Sequence, residues 1–233
     1  PTDESNLVLK AVAAFRRATG WSSNVELRLE KRIPMGAGLG GGSSNAVATL
    51  RALNQLTGDL LAEEAMREIA GLLGSDCVLF LENAPVLMRG RGEQVSVIDA
   101  GVRRRISGRR VLLFKPPFGI STPWAYGQMA ARPETYLAPA KAESHWDQWQ
   151  QSESAPLEEL CLNSMESVAF SKYPALPALY AILRERFGLA PLMSGSGSAS
   201  LVFLSERTPI ADVEAVIKEM WGEGAFMTTA TLA

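Results

Sequence analysis

Hydrophobic and polar residues recur along the chain with two different periods, and each period predicts an element. Over residues 6–19 the apolar residues return every three or four positions and Gly20 follows, which predicts an amphipathic helix. Over residues 24–31, "NVELRLEK", apolar and polar residues alternate one by one, which is typical of a strand with one buried face. Residues 6–31 are therefore predicted to form a helix followed by a strand.

The same patterns predict further helices and strands, and together they indicate an α+β protein. A boundary is predicted near residue 108, where the basic and glycine residues of "DAGVRRRISGRR" interrupt the apolar pattern. The tract 133–155 is rich in Pro, Ala, Glu, Ser and Gln and predicts loop with short helix. The remaining predicted elements are helices over residues 43–56, 61–73, 175–187 and 209–220, and strands over residues 111–114, 200–204 and 225–232.

Composition excludes two classes of partner. The 233 residues are 47% hydrophobic and 21% charged with a formal net charge of -2, so no basic excess points to nucleic acid. The longest apolar runs, such as residues 111–114, are far too short to span a bilayer. We therefore expect a globular, cytoplasmic protein with no nucleic-acid partner and no membrane partner.

The segment "PMGAGLGGGSSN", residues 34–45, carries five glycines in twelve residues and leads into a predicted helix. Glycine loses much backbone entropy on folding, so such a cluster indicates a place where the backbone must approach something closely. Backbone N–H groups of this loop and of the helix N-terminus would suit a polyphosphate. The hydroxyls of Ser43 and Ser44 are suited to contact phosphate or Mg²⁺.

Three other interpretations of the glycine loop are weaker. A dinucleotide fingerprint, Gly36-x-Gly38-x-x-Gly41, needs an acidic residue at the end of the next strand, but Asp59 lies between two predicted helices. A Walker A loop needs a lysine before its serine, and Gly42 stands there. A simple helix cap by the two serines needs no run of glycines.

The remaining reactive residue types give no strong signal. Cys77 and Cys161 are too far apart in sequence for a close-spaced metal or redox pair, and we expect both to be small buried hydrophobes. The single histidine, His145, lies in the polar tract and is expected at the surface.

The glycine loop resembles the phosphate-binding motif of the GHMP kinases, which include galactokinase, homoserine kinase, mevalonate kinase and phosphomevalonate kinase. The resemblance continues in chain order over nearly the whole sequence. The triple glycine and its Pro-Met entry are most like those of members whose acceptor alcohol carries a cytidine diphosphate. The further matching segments are "LLGSDCVLFL" around the family's catalytic aspartate, "RGRGEQV", "GISTPWAY", and "LMSGSGSASLVFL", the third glycine-rich motif.

This resemblance implies a two-domain α+β GHMP kinase fold. Residues 1–108 would form a ribosomal protein S5 domain 2-like N-terminal domain that binds ATP, and residues 109–233 a ferredoxin-like α+β C-terminal domain. ATP and Mg²⁺ would be the cofactors, with ATP held between the glycine loop and the domain cleft. The protein would be a small-molecule kinase that acts on an alcohol, and its oligomeric state is left open.

The resemblance also assigns roles to residues. Asp76 matches the catalytic aspartate that accepts the hydroxyl proton, and its alternative is a residue of a turn or helix terminus. Tyr173 would stack on a cytosine ring, or belong to the core. The implied nucleotide-binding residues are Pro34, Gly36, Ala37, Gly38, Leu39, Gly40, Gly41, Gly42, Ser43 and Ser44, with Ser44 as the metal ligand. The third motif supplies Ser194, Gly195, Ser196 and Gly197 to the substrate or phosphates, unless it is only a tight turn before a strand.

The sequence departs from the family pattern in two places. The family has a proline shortly after the aspartate, and "SDCV" after Gly74 has none. Family members begin with a strand whose lysine partners the aspartate and with a Tyr-His pair that holds the cytidine, and neither is present. We therefore expect a piece of a longer protein. The alternatives are a truncated relative without turnover that still binds nucleotide, a kinase for another alcohol such as homoserine or mevalonate, and a dinucleotide-dependent oxidoreductase.

Overall fold

The computed structural model describes residues 3–90, 92 and 94–232. It divides into two compact units, the first made of Pro1–Ile33 and Gly40–Asp99, and the second of Pro34–Leu39 and Ala100–Ala233. The chain thus passes between the units within the glycine loop. Arg91 and Glu93 of the "RGRGEQV" segment lie outside the described residues. The division at residue 108 inferred from the sequence remains a prediction.

The first unit is mainly helical. Asn6 caps its first helix, because the side chain accepts a hydrogen bond from Val8 N, and Gly20 ends that helix at φ +71°. The elements of this unit are α1 (Leu7–Thr19), α2 (Gly41–Leu56), α3 (Glu63–Leu73), a 3-10 helix (Ser75–Leu81), and an antiparallel hairpin of β1 (Val86–Arg89) and β2 (Gln94–Val97). Its core is formed by buried side chains of the helices, among them Phe15, Val47, Leu50, Leu53, Ile69 and Cys77.

The second unit is an antiparallel four-stranded sheet packed with helices. Its elements are α4 (Ala100–Ile106), β3 (Arg110–Lys115), α5 (Thr122–Ala130), α6 (Pro139–Gln151), α7 (Glu166–Lys172), α8 (Ala175–Phe187), β4 (Leu192–Met193), β5 (Ser200–Leu204), α9 (Ile210–Trp221) and β6 (Phe226–Thr231).

The strand order in that sheet is β4-β5-β3-β6, with every neighbouring pair antiparallel. Together with helices between β3 and β4 and between β5 and β6, this is the β-α-β-β-α-β arrangement of ferredoxin-like domains. Apolar side chains of the sheet and of α8 and α9 share one core, including Leu112, Phe114, Leu179, Val202 and Ile217. The α+β class and the ferredoxin-like arrangement predicted from the sequence are confirmed.

The predicted strand over residues 24–31 is wrong. In the structure this segment lies outside any helix or strand, and Leu27 and Leu29 are 39% and 42% exposed. Alternating apolar and polar residues give an extended segment one apolar and one polar face. To form a strand, the segment also needs a neighbouring strand whose backbone groups exchange hydrogen bonds with its own. No segment of the described residues pairs with it.

The tract 133–155, predicted as loop with short helix rather than core, contains a 13-residue helix, α6. Proline at its start and a run of good helix formers explain the helix. Trp149 of α6 is buried, and the guanidinium carbon of Arg105 lies 3.6 Å from the centre of a Trp149 ring. His145 Nε2 lies 2.6 Å from the carbonyl oxygen of Glu159, so the single histidine has a structural contact at the surface. No helix of the described residues is long and apolar enough to cross a membrane.

Candidate active site

The first half of the glycine loop is hydrogen-bonded to the third motif inside the second unit. Ser194 Oγ donates to the carbonyl oxygen of Gly38 at 2.8 Å. The backbone N–H groups of Ser198 and Ala199 donate to the carbonyls of Gly36 and Ala37 at 3.3 and 3.0 Å. Two segments more than 150 residues apart in sequence are thereby joined by three hydrogen bonds.

Glycine is required in this half of the loop because two backbones approach each other. Gly38 has φ +73°, and a Cβ placed there would lie 2.1 Å from the carbonyl oxygen of Ser194. Gly36 has φ +62° and packs against Gly119, whose Cα would lie 3.6 Å from an added Cβ. What the backbone approaches at Gly36 and Gly38 is another part of the protein.

A third segment that resembles the family, "GISTPWAY", joins the same cluster. Its Thr122 hydroxyl lies 2.8 Å from the hydroxyl of the buried Ser196. The preceding carbonyl of Phe118 accepts from Ser198 Oγ at 2.6 Å and from Lys115 Nζ at 2.8 Å. The structure thus brings together Pro34–Leu39, the residues around Thr122 and the turn containing Ser194, Gly195, Ser196 and Gly197.

The second half of the loop forms the N-terminus of α2 in the first unit. Gly40 is the N-cap at φ +63°, and no side chain of the described residues caps this helix. Ser43 and Ser44 lie inside the helix, so the alternative in which they cap it is wrong. The amides of Gly41, Gly42 and Ser43 have no acceptor within the helix, because the first intrahelical bond runs from Ser44 N to Gly40 O. Such free amides at the positive end of a helix suit an anion.

Packing also requires two of the glycines at this N-terminus. A Cβ at Gly40 would lie 2.8 Å from the ring of Phe80, and one at Gly41 would lie 2.9 Å from Ile33 Cγ2. A Cβ at Gly42 would meet only Leu7 Cδ1, at 3.4 Å. Local packing therefore explains Gly40 and Gly41 and leaves Gly42 without a steric requirement.

Asp76 lies in the 3-10 helix that follows α3, and its side chain is exposed. Within the described residues its carboxylate has no hydrogen bond or ion pair. Because Asp76 also lies in the first turn of this 3-10 helix, its catalytic role stays a prediction beside the alternative of a helix-terminus residue. The neighbouring Cys77 is buried in the core that the 3-10 helix shares with α2. Burial raises the pKa of the Cys77 thiol, the nearby Ser43 hydroxyl opposes that shift, and the negative charge of Asp76 adds to it. The Asp76 segment therefore packs against α2 through Cys77.

The sequence reasoning missed Lys31. Its Nζ donates to the carbonyl oxygen of Gly41 at 3.3 Å, which brings an ammonium group to the first turn of α2. A cation near the positive end of a helix is unfavourable by itself, and both would attract an anion. The sequence feature that could have pointed to Lys31 is its position, three residues before Pro34 at the start of the glycine loop.

Tyr173 lies at the end of α7 and is partly buried against the core of the second unit. Its ring stacks on Phe118, with 5.2 Å between centroids and 13° between planes. Trp124 meets it edge-on at 5.9 Å. One face of the Tyr173 ring is therefore occupied by the protein, and its stacking on a base stays a prediction.

No group of three or more His, Cys, Asp or Glu side chains in the described part of the chain could hold a metal ion. Ser44 Oγ donates to Gly41 O at 3.1 Å, which leaves its oxygen lone pairs as a single possible ligand. This donor set fits Mg²⁺ only as an ion that is held mainly by phosphate oxygens and water.

Cys161 is partly exposed rather than fully buried, in contrast to the expectation from sequence.

Residues 6–82 match the family described as GHMP kinases N terminal domain. The chain is 34% identical to a 4-diphosphocytidyl-2-C-methyl-D-erythritol kinase of Thermodesulfovibrio yellowstonii over 88% of this chain and 71% of the relative. A Protochlamydia amoebophila relative of the same name is 35% identical over 85% of this chain, which spans only 63% of that relative's length.

Solved structures agree with these relatives. A crystal structure of 4-(cytidine 5'-diphospho)-2C-methyl-D-erythritol kinase matches with TM-score 0.73 and 31% identity, covering all of this chain and 80% of that one. A homoserine kinase of Cytophaga hutchinsonii matches with TM-score 0.74, and its 19% identity indicates a shared fold alone. The chain belongs to the GHMP kinases. Within that family, it is similar to 4-diphosphocytidyl-2-C-methyl-D-erythritol kinases of bacteria and plants.

The steric requirement at Gly38 can be tested by substitution. Gly38→Ala should speed amide hydrogen exchange at Ser198 and Ala199 by about tenfold or more, because the new Cβ displaces the turn that these amides anchor. Gly58→Ala is the matched control: its φ of +78° carries the same backbone strain, but the space around it is open. Exchange measured by mass spectrometry or NMR that is equal in the two variants would contradict the packing argument.

Proposed function

We propose that this protein transfers the γ-phosphoryl group of ATP to the 2-hydroxyl of 4-diphosphocytidyl-2-C-methyl-D-erythritol, a step of isoprenoid precursor biosynthesis. The relatives named above support this substrate. The structural observation that carries the proposal is the exposed carboxylate of Asp76, which has no hydrogen bond or ion pair among the described residues. Its 3-10 helix shares a core with α2, whose N-terminus has no capping side chain in the described part of the chain. An acid–base group and an anion site in the same unit are what phosphoryl transfer requires.

Asp76 is proposed as the catalytic residue. An exposed carboxylate that has no hydrogen-bond or ion-pair partner in the described part of the chain is available to orient the acceptor hydroxyl. It can accept the hydroxyl proton as the new bond to phosphorus forms and the bond from the γ-phosphorus to ADP breaks. The proton then resides on a carboxylate oxygen of Asp76 until solvent removes it. Holding the hydroxyl in line with the phosphoryl group supplies most of the catalysis in such reactions.

The first turn of α2 is proposed as the phosphate site. Bound ATP would supply the phosphoryl group, and Mg²⁺ would neutralise part of its charge. The free amides of Gly41, Gly42 and Ser43 would donate hydrogen bonds to phosphate oxygens, and the Ser44 hydroxyl would contribute one ligand to the metal. Lys31 would add a positive charge beside those amides.

Two alternatives from the sequence remain to be separated from this proposal. One is a kinase for another alcohol, such as homoserine or mevalonate, which the similarity of fold to those kinases allows. The other is a nucleotide-binding relative without turnover. Cytoplasmic location also remains a prediction, since plant relatives such as that of Mentha piperita are named chloroplastic.

The deciding experiment measures ADP release with Mg-ATP and each of three acceptors. Turnover with 4-diphosphocytidyl-2-C-methyl-D-erythritol, and little or none with homoserine or mevalonate, is the expected result. Turnover with either of the others alone would assign a different acceptor. Saturable ATP binding without ADP release under any acceptor would leave a nucleotide-binding relative and overturn the catalytic proposal for this chain.

The role of Asp76 predicts a specific kinetic change. Asp76→Asn should lower turnover by about two to four orders of magnitude and leave ATP affinity nearly intact, because only proton transfer and orientation are lost. Asp59→Asn makes the same chemical change in the turn between α2 and α3, where Asp59 Oδ1 lies 3.4 Å from Asn54 Nδ2, and should keep full activity. Equal turnover in the two variants would remove Asp76 from the mechanism.

The role of Lys31 predicts a change in binding instead. Lys31→Gln should weaken ATP binding by roughly three- to tenfold, with a smaller effect at high salt, because one exposed charge near the phosphates is lost. Arg32→Gln is the control, since the adjacent Arg32 is paired with Glu30 at 3.1 Å. Calorimetric titration with ATP checks both, and an equal loss in the two variants would show that only overall charge matters.

A further inference from the structure

Asn163 contacts two segments of the second unit: the residue that precedes α7, and the turn that forms the third motif. Its Nδ2 group donates to the carbonyl oxygens of Met193 and Gly195, at 2.7 and 2.8 Å. Its Oδ1 atom accepts from Met165 N at 2.9 Å, just before α7 begins. One amide side chain therefore holds Met165, the residue before α7, and with its two N–H groups it holds the start of the third motif.

Glu166 contacts the same turn as a hydrogen-bond acceptor, whereas Asn163 contacts it as a donor. Its Oε1 atom accepts from Met193 N at 2.7 Å. Burial raises the pKa of the Glu166 carboxyl, while this hydrogen bond and the positive charge of Arg184 oppose that shift. Three hydrogen bonds from two side chains therefore fix the backbone of residues 193–195. We call Asn163 and Glu166 the turn clamp.

The turn needs such a clamp because its own sequence does not restrain it. Gly195 and Gly197 both have positive φ, at +53° and +80°, and glycine is the residue least confined to one conformation. The turn's internal backbone bonds are Ser194 N to Ala199 O and Gly197 N to Ser194 O. The carbonyls of Met193 and Gly195 take their hydrogen bonds from Asn163, outside the turn.

The restraint continues into the glycine loop. Ser194, which lies between the two carbonyls held by Asn163, donates its hydroxyl to Gly38 O. Residues 36–38 are therefore connected through the turn to two side chains that the motif resemblance did not single out. A displacement of the turn would move both glycine-rich segments together.

We infer that Asn163 and Glu166 are positioning residues, which hold the third motif and the first half of the glycine loop in the geometry that binds nucleotide and substrate. Neither is assigned a contact with the reacting atoms. The inference rests on the proposed function, because it takes these two segments to bind nucleotide and substrate, as the resemblance to the GHMP kinases implies.

Asn163→Asp separates the bonds to the turn from the bond to Met165. Aspartate keeps an acceptor oxygen for Met165 N, so the contact before α7 is retained. An ionised carboxylate donates nothing to the carbonyls of Met193 and Gly195, so both lose their partner. We expect faster hydrogen exchange over residues 194–199, and kcat/KM lowered about fivefold or more at pH 8.

The same variant should show a pH signature that a loss of folded protein would not produce. Two facing carbonyl oxygens and the carboxylate of Glu166 would raise the pKa of the new carboxyl, while Arg184 would oppose that shift. Glu134 and Lys141 line the same cavity as Asn163, so their charges act on the new carboxyl as well. Protonation restores one O–H donor, so the ratio of variant to wild-type kcat/KM should rise as the pH falls from 8 to 6.

Two further variants make the test specific. Glu166→Ala removes an acceptor and adds no titratable group, so its activity should fall without recovery at low pH. Asn6→Asp is the matched control, because the Asn6 side-chain oxygen likewise accepts from the backbone N–H two residues on, that of Val8, and Asn6 lies in the other unit. This control should match the wild type in hydrogen exchange, kcat and KM.

The outcomes distinguish the clamp from the proposed function. A wild type with turnover and an Asn163→Asp variant with the same kcat, KM and exchange rates would overturn the inference. A wild type without turnover or nucleotide binding would overturn the proposed function, while hydrogen exchange over residues 194–199 would still test the clamp. Lower kcat with unchanged KM, and a matching loss of folded protein at every pH, would show a purely structural role and contradict the inference.

Discussion

The close approach of two glycine-rich backbones is the constraint on which the arrangement of the GHMP-kinase-like motifs within the second unit depends. Gly38 and the Ser194 carbonyl lie so near each other that a single Cβ would place atoms 2.1 Å apart. Hydrogen bonds from Ser194, Ser198 and Ala199 to the loop hold the two segments at that distance. Because the contact is made by backbone atoms, only the absence of a side chain permits it, and substitution at either side costs both packing and hydrogen bonds.

This contact changes the explanation of the glycine cluster. A run of glycines suggests a backbone that approaches a ligand, yet Gly36, Gly38, Gly40 and Gly41 each face another part of the protein or adopt a left-handed conformation. The glycines build the site's framework. The amides available to an anion lie at the start of α2, where the helix has no capping side chain. Framework and anion site are thus adjacent in sequence but belong to different units of the fold.

Buried polar groups hold the framework in place. Lys115 is almost fully buried, and its ammonium group donates to the carbonyls of Pro116 and Phe118, both at 2.8 Å. Burial lowers the pKa of the Lys115 ammonium, which shows the desolvation that those two hydrogen bonds must offset. Together with the Ser198 hydroxyl on Phe118 O, these bonds fix the segment that precedes α5. Irregular backbone at this site is therefore satisfied by side chains, as buried carbonyls require.

The sequence by itself determined the elements whose signal is local. The helix ending at Gly20, the strand of residues 200–204 and the helix of residues 175–187 were all predictable, because periodicity and a terminal glycine act within a few residues. The family and its ordered motifs were equally readable from the sequence. Only the tertiary structure decided which glycine faces which backbone, that Ser43 and Ser44 do not cap α2, and that residues 24–31 are not a strand in the described chain. It also revealed Lys31 and Asn163. These properties depend on partners far away in sequence, and a hydrogen bond between Ser194 and Gly38 leaves no periodic trace in either segment.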